Sequence, residues 1–163
     1  MTDWFVRNVR DAFWVRTEHG GAAGGFEHPD DPWPDYGVNI RVLGRGQRAS
    51  LYHSESQQED FLVLAGRCML VVEGEERELG PWDFVHCPAG TAHVFVGAGD
   101  EPCVVLMIGA RHEDEVLRYP VDATAARYGA SVERETTDPQ EAYAGQPKWV
   151  LAQPDRWDEL PWA

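Results

Sequence analysis

Tyr52-His53-Ser54-Glu55-Ser56-Gln57-Gln58-Glu59-Asp60-Phe61-Leu62-Val63-Leu64-Ala65-Gly66 is the stretch whose reading decides the fold. His53 and Glu55 are two residues apart, so an extended strand projects both side chains from one face, whereas a helix would set them about 200° apart. Glu59 leads into an apolar run that Gly66 ends, the pattern of a buried strand with an acid at its entrance. A second segment, Pro88-Ala89-Gly90-Thr91-Ala92-His93, delivers another imidazole into Val94-Phe95-Val96-Gly97 in the same way. Neutral imidazole nitrogen and anionic carboxylate oxygen, gathered by strands, are what a hard or borderline divalent cation requires. His53, Glu55, Glu59 and His93 are therefore the candidate metal ligands.

Working outward, short strands are predicted at 38–43, 48–53, 67–73, 75–79, 83–87, 92–96 and 103–108. Gly44-Arg45-Gly46, Gly74, Pro88-Ala89-Gly90 and Gly97-Ala98-Gly99-Asp100 punctuate them. Gly74 between two strand-like runs suits a tight hairpin, because it tolerates positive φ. Many short strands with glycine-rich turns predict an all-β barrel or two-sheet sandwich, and no internal repeat suggests a second copy.

The spacing of these residues resembles the cupin superfamily. Its first motif places glycine, five residues, His, one residue, His, three or four residues, Glu, six residues, Gly; its second centres on Pro, one residue, Gly, two residues, His. Here His53, Glu59, Gly66, Pro88, Gly90 and His93 match over roughly residues 38–112. The resemblance implies a single double-stranded β-helix, or jelly-roll barrel, holding a divalent metal such as Fe, Mn, Zn or Ni. This chain departs from the pattern at four points. Glu55 replaces the second histidine, which adds oxygen character and favours hard cations. Six residues, not five, separate Gly46 from His53; Gly97 stands where asparagine is usual; and Trp82 precedes Asp83 where glycine is common.

The 163 residues suffice for one domain with a core, and the predicted layout is an N-terminal arm (1–37), the barrel (38–112) and a C-terminal extension (113–163). The arm's aromatics (Trp4, Phe5, Phe13, Trp14, Trp33) predict packing on the barrel or a partner subunit. Gly20-Gly21-Ala22-Ala23-Gly24-Gly25 reads as a flexible hinge or exposed loop. His28, Asp30, Asp31 and Asp35, interleaved with prolines, read as a solvated turn-rich loop. Short helical turns are predicted at 113–119 and at 123–128, the latter after Asp122 as a cap. Trp149, Trp157 and Trp162 mark a tail that wraps the barrel, joins a dimer interface or awaits a partner.

A formal net charge of −14 argues against nucleic-acid binding, which needs a basic patch. No apolar stretch approaches the roughly 20 residues that span a bilayer, and no secretory signal is visible at the start of the chain. Cys68, Cys87 and Cys103 read as buried free thiols of a cytoplasmic protein. Tyr52, Phe84, His86, Phe95, Val105 and Met107 are candidate pocket-wall residues, with strand phase deciding which face inward. An inward His86 could move protons, and Glu55, if unligated, is the preferred general base.

Two classes of function follow. One is a small-molecule metalloenzyme of dioxygenase, isomerase or decarboxylase type; the other is a non-catalytic cupin that binds or senses a small molecule or metal. A helix-turn-helix is absent, so a transcription-factor form has no support. The resemblance and the exposed aromatics together imply a homodimer.

Overall fold

The polar–apolar alternation at residues 38–43 belongs to a longer strand at the centre of the fold. The computed structural model describes residues 4–163, so the first three residues of the expected arm lie outside it. In chain order the strands are β1 (Phe13–Thr17), β2 (Gly21–Gly25), β3 (Tyr36–Leu43), β4 (Ser54–Glu55), β5 (Glu59–Ala65) and β6 (Cys68–Val72). They continue with β7 (Glu75–Leu79), β8 (Phe84–Cys87), β9 (His93–Gly97), β10 (Cys103–Ala110), β11 (Leu117–Arg118) and β12 (Val150–Leu151). Two one-turn helices follow the barrel, α1 (Ala123–Ala126) and α2 (Pro139–Ala142). No helix among the described residues is long and apolar enough to cross a membrane.

All strand pairs are antiparallel. One sheet has the order β12-β1-β2-β3-β10-β5-β8, facing a smaller sheet β7-β6-β9, with β4 paired to β11 beside them. Isolated bridges at Arg48↔Val96 and His53↔His93 attach the 48–53 segment to β9. This is the all-β, double-stranded β-helix arrangement that the motif spacing implies. Leu43, Phe61, Val63, Cys68, Leu70, Cys87, Phe95, Cys103 and Val105 fill the space between the sheets. Burying a side chain such as Phe95, 1% exposed, contributes about 1.5–3 kcal/mol. The three cysteines are free and buried, as expected.

The turns follow from local chemistry. Glu73 (φ 49°) and Gly74 (φ 77°) form a two-residue hairpin loop in which Val72 opposes Glu75, the geometry that matches strand twist. Gly97 replaces the usual asparagine for a steric reason: a Cβ there would lie 2.2 Å from the carbonyl oxygen of Gly44. Asp122 caps α1 as predicted, accepting from the Ala125 amide at 2.7 Å.

Three local expectations are corrected. The glycine-rich segment at 20–25 is not a hinge: it contains β2, hydrogen-bonded between β1 and β3. A Cβ at Gly24 would sit 2.7 Å from the Trp14 indole, so glycine is what lets that ring lie flat on the strand. The 48–53 segment is a bend with bridges rather than a full strand. Its amides turn to the C-terminal extension, Tyr52 N–H to Ala130 O at 2.7 Å and Leu51 N–H to the Tyr143 hydroxyl at 3.0 Å. The turn expected at 113–119 yields β11, because Leu117 and Arg118 find open strand partners in Glu55 and Ser54.

Both flanking segments cover the barrel's outer faces. Trp157, Leu160 and Trp162 pack with Trp14, Ala22, Ile40, Val42 and Val104 behind the large sheet. Trp14 stacks on Trp162 at 5.7 Å and meets Trp157 edge-on at 5.8 Å. On the other side Ala125 and Ala130 pack against Tyr52, Val71 and Val94. Of the tail's possible fates, wrapping the barrel is the one observed.

Candidate metal centre

Register brings the proposed ligands to one end of the space between the sheets. Glu59 opens β5 and pairs with Gly109 of β10; His93 opens β9 and faces His53 across a bridge whose two backbone bonds measure 2.9 and 3.2 Å. Glu55, two residues along from His53, emerges on the same side. Donor atoms of His53, Glu55 and Glu59 all lie within 4.8 Å of one another. His93 lies outside that close set but beside it, its Nε2 3.4 Å from Glu59 Oε2 and its ring centroid 5.3 Å from that of His53. His93 is 2% exposed, so its imidazole is withdrawn from bulk water.

The tautomers are set by the backbone. His53 Nδ1 lies 2.8 Å from Leu51 O and His93 Nδ1 lies 3.0 Å from Thr91 O. A carbonyl only accepts, so each Nδ1 carries the proton and each Nε2 presents a lone pair to the centre. Those lone pairs meet carboxylate oxygens: Glu55 Oε1 at 3.3 Å from His53 Nε2, and Glu59 Oε2 at 3.4 Å from His93 Nε2. In a buried site each such pair needs a proton or a cation between its atoms: Glu55 favours a proton on His53 Nε2, and a divalent cation would take its place. The donor set therefore fits a divalent cation, with two nitrogen and two oxygen donors and no thiolate.

Electrostatics reflect the same crowding. Burial, then the Glu55 charge, pushes the Glu59 carboxyl up to about 7. Burial and neighbouring His53 push His93 down to about 4 and keep its ring neutral. Burial also acts to lower His53, but its hydrogen bond to Glu55 and the charges of Glu59 and Glu55 outweigh this and leave it raised. Glu55 is held below the ordinary range, since burial is overcome by His53 and by a hydrogen bond with Glu115.

A cavity of about 360 Å³ opens over these residues, lined also by Asn39, Arg41, Phe61, Phe95, Met107, Arg111, Glu115 and Tyr143. Phe95 and Met107 thus line the site as expected, whereas Val105 lies in the core between the sheets. Tyr52 turns away, its hydroxyl accepting from the Gly74 amide at 3.1 Å. Phe84 is 63% exposed on the outer face. His86 is corrected as an inward proton carrier. On β8 it pairs with Asp60, not with Glu59 or Phe61, and its Nδ1 binds Asp60 Oδ1 at 2.7 Å on the sheet's outer surface. Alternation along the strand sends Val85 and Cys87 inward instead.

Sequence reading missed Asn39, Arg41, Arg111, Glu115 and Tyr143. For Asn39 and Arg41 a signal existed: polar residues alternate with Val38, Ile40 and Val42, which marks one polar strand face without saying which way it points. Glu115 and Tyr143 come from irregular segments far along the chain, where periodicity carries no information.

The description "Cupin domain" fits the family model that matches residues 40–109. The solved structure of a sugar phosphate isomerase of the cupin superfamily from Silicibacter pomeroyi is 29% identical and superposes with a TM-score of 0.57, covering 64% of this chain and 73% of that one. The polyketide cyclase RemF from Streptomyces resistomycificus is similar in fold at 18% identity, with a TM-score of 0.57, covering 66% of this chain and 80% of that one. A Klebsiella pneumoniae protein with a double-stranded β-helix domain gives a TM-score of 0.58 at 16% identity, covering 71% of this chain and 97% of that one. No curated protein sequence matches the chain. The domain match, the sheet topology and these structural neighbours agree: residues 40–109 form a cupin domain.

Proposed function

We propose that this cupin is a metal-dependent enzyme acting on a small hydroxy-carbonyl compound by proton transfer, an isomerase-type reaction. The single observation that carries this reading is the pair of backbone-anchored histidines whose Nε2 atoms face Glu55 and Glu59 inside a cavity of small-molecule size. His53, Glu55, Glu59 and His93 would hold the divalent cation. When bound, such a cation polarises a carbonyl oxygen and stabilises the negative charge that develops on it.

The chain's own residues supply the rest. Leu51 O and Thr91 O hold the two imidazoles in their ligating tautomer. Phe61, Phe95 and Met107 form the apolar wall that excludes water around the reacting carbon. Glu115 lines the same cavity as Glu55 and stands at its exposed mouth. With Glu55 on the cation, Glu115 would take a proton from a carbon beside a carbonyl and return it to the neighbouring one. The 29% identity with a sugar phosphate isomerase of the same superfamily supports this class over dioxygenase or decarboxylase chemistry.

The test has two steps. Purified protein reconstituted with Mn, Fe, Zn or Ni should retain about one equivalent by mass spectrometry. Aldose and ketose phosphates, incubated in deuterated water with the loaded protein, should exchange hydrogen at the carbon beside the carbonyl. Absence of stoichiometric metal after reconstitution overturns the site; metal without exchange or turnover on any of these compounds returns the protein to the binding class. Exposed Val150 and Leu151 on edge strand β12, with Trp4 and Val6, support a homodimer as well. Light scattering should then give twice the 18.3 kDa chain mass.

A further inference from the structure

A second chamber adjoins the metal cavity, and its chemistry is the reverse. It has a volume of about 390 Å³ and shares Arg41, Ala49, Ser50 and Tyr143 with the first. In a chain of net charge −14 its lining includes two arginines, Arg41 and Arg48, and no aspartate or glutamate. Arg48 is engaged, its Nη2 donating to Gln146 Oε1 at 2.7 Å. Arg41 is not: its Nε and Nη1 are shielded from solvent and find no hydrogen-bond partner among the described residues. Its guanidinium lies over the Trp149 ring, 5.1 Å from the centroid, which fixes the plane of the fork and leaves the in-plane donors free. A charge buried with unpaired donors is costly, and an anion that accepts from both removes the cost.

Strand register puts this guanidinium in line with the metal ligands. Across β5, β10 and β3 the inward residues form successive rows: Glu59, Gly109 and Gly37; then Phe61, Met107 and Asn39; then Val63, Val105 and Arg41. Each row is about 6.6 Å further along the strands. The middle row carries a second residue with an unpartnered polar atom, Asn39, whose Oδ1 is buried and without a donor among the described residues. From one end to the other the site offers metal ligands, a lone acceptor and a lone cationic fork.

We propose that Arg41 is the anion-binding residue of this site, and that the substrate is a small molecule bearing a phosphate or carboxylate at the end remote from the metal, with a hydroxyl in between for Asn39. This rests on the reading of His53, Glu55, Glu59 and His93 as a metal centre for the direction of the substrate, but not for the anion site itself. Tyr143 closes the anion end, since its hydroxyl accepts from the Leu51 amide and keeps its own proton to donate. Trp149 covers the chamber because Gly20 leaves room for it: a Cβ there would lie 3.2 Å from the indole.

Orthophosphate and acetate are titrated separately into metal-free wild-type protein and into Arg41→Met, following unfolding temperature and heat of binding, with metal uptake measured on the same samples. At least one anion should bind wild type saturably and raise Tm, and which one does so separates a phosphate substrate from a carboxylate. Arg41→Met should lose affinity by about tenfold or more while taking up metal as wild type does. Its Tm without anion should be no lower, since a buried unpaired charge has been replaced by an apolar stem. If Arg41→Met fails to fold, Arg41→Lys carries the test: charge is kept, the two-pronged fork is lost, and binding should weaken by about tenfold. Binding of neither anion, or equal binding by the variants, overturns the proposal. Anion binding by a protein that takes up no metal leaves the anion site standing and removes only the proposed metal function.

Discussion

At His53 and His93 the ring atom that faces away from the cavity decides what the other can do. Both Nδ1–H groups are tied to carbonyls two residues earlier in the chain, so rotation that would hide Nε2 costs a hydrogen bond. Glu59→Ala removes the carboxylate nearest His93 and should lower metal affinity by more than the roughly 10–100-fold that loss of an outer-sphere partner costs, read by competition with a chelator. Glu115→Gln should behave differently. Its carboxyl touches Glu55 rather than the imidazoles, so metal content stays at the wild-type level while turnover falls by about 10²-fold or more. His53 and Glu55 were readable as a pair because strand geometry converts a two-residue interval into a shared face, and Glu59 and His93 because each opens an apolar strand at a cupin-like spacing. Glu115 was not, because an exposed acid in an irregular segment looks like any solvated side chain until the fold sets it beside Glu55.

Among the elements, the closest backbone approaches mark where the barrel is least tolerant. Gly97 ends β9 under the carbonyl of Gly44, and Gly97→Ala forces a Cβ to 2.2 Å from that oxygen unless the two strands part. The expected loss is about 2–4 kcal/mol, measured as a lower denaturant midpoint. The cap of α1 is a milder case: Asp122→Ala removes the acceptor for the Ala125 amide and should cost about 1 kcal/mol by the same measurement. The hairpin at Glu73-Gly74 and the cap at Asp122 were legible from local residues alone, since their chemistry involves neighbours in the chain. Strand β2 was not. Five residues of glycine and alanine carry no strand propensity, and they become a strand because β1 and β3 offer ladders on both sides and Trp14 needs a flat surface.

On the scale of the whole molecule, the segments outside the barrel are fastened by a few long-range contacts. Arg111, just after β10, donates to both carboxylate oxygens of Glu27 at 2.6 and 2.7 Å and to Trp33 O at 2.9 Å, clamping the N-terminal segment beside the cavity. The Arg111 hydrogen bond holds the Glu27 carboxyl below its ordinary value of 4.5, against the opposing effect of burial. A carboxyl with a lowered folded-state pKa stabilises the fold above its unfolded value and loses that contribution as pH falls through the lowered one. Wild type should therefore lose stability on acidification below about pH 4.5 more steeply than Glu27→Gln, compared by Tm against pH. The aromatic tail adds the other fastening, with Trp157 and Trp162 about Trp14 on the face opposite the cavity.

The sequence by itself determined the all-β class, the two motif segments and the candidate donor residues, because hydrophobic period, turn residues and residue spacing are local properties of the chain. Only the tertiary structure decided which face of each strand turns inward. On β3 the apolar side chains of Ile40 and Val42 point outward, which is stable because Trp14 and Leu160 cover them. Asn39 and Arg41 then point into the barrel's interior beside the proposed ligands. Strand alternation is symmetric between the two faces, so the choice belongs to whatever packs on each side, and here that cover comes from segments at both ends of the chain.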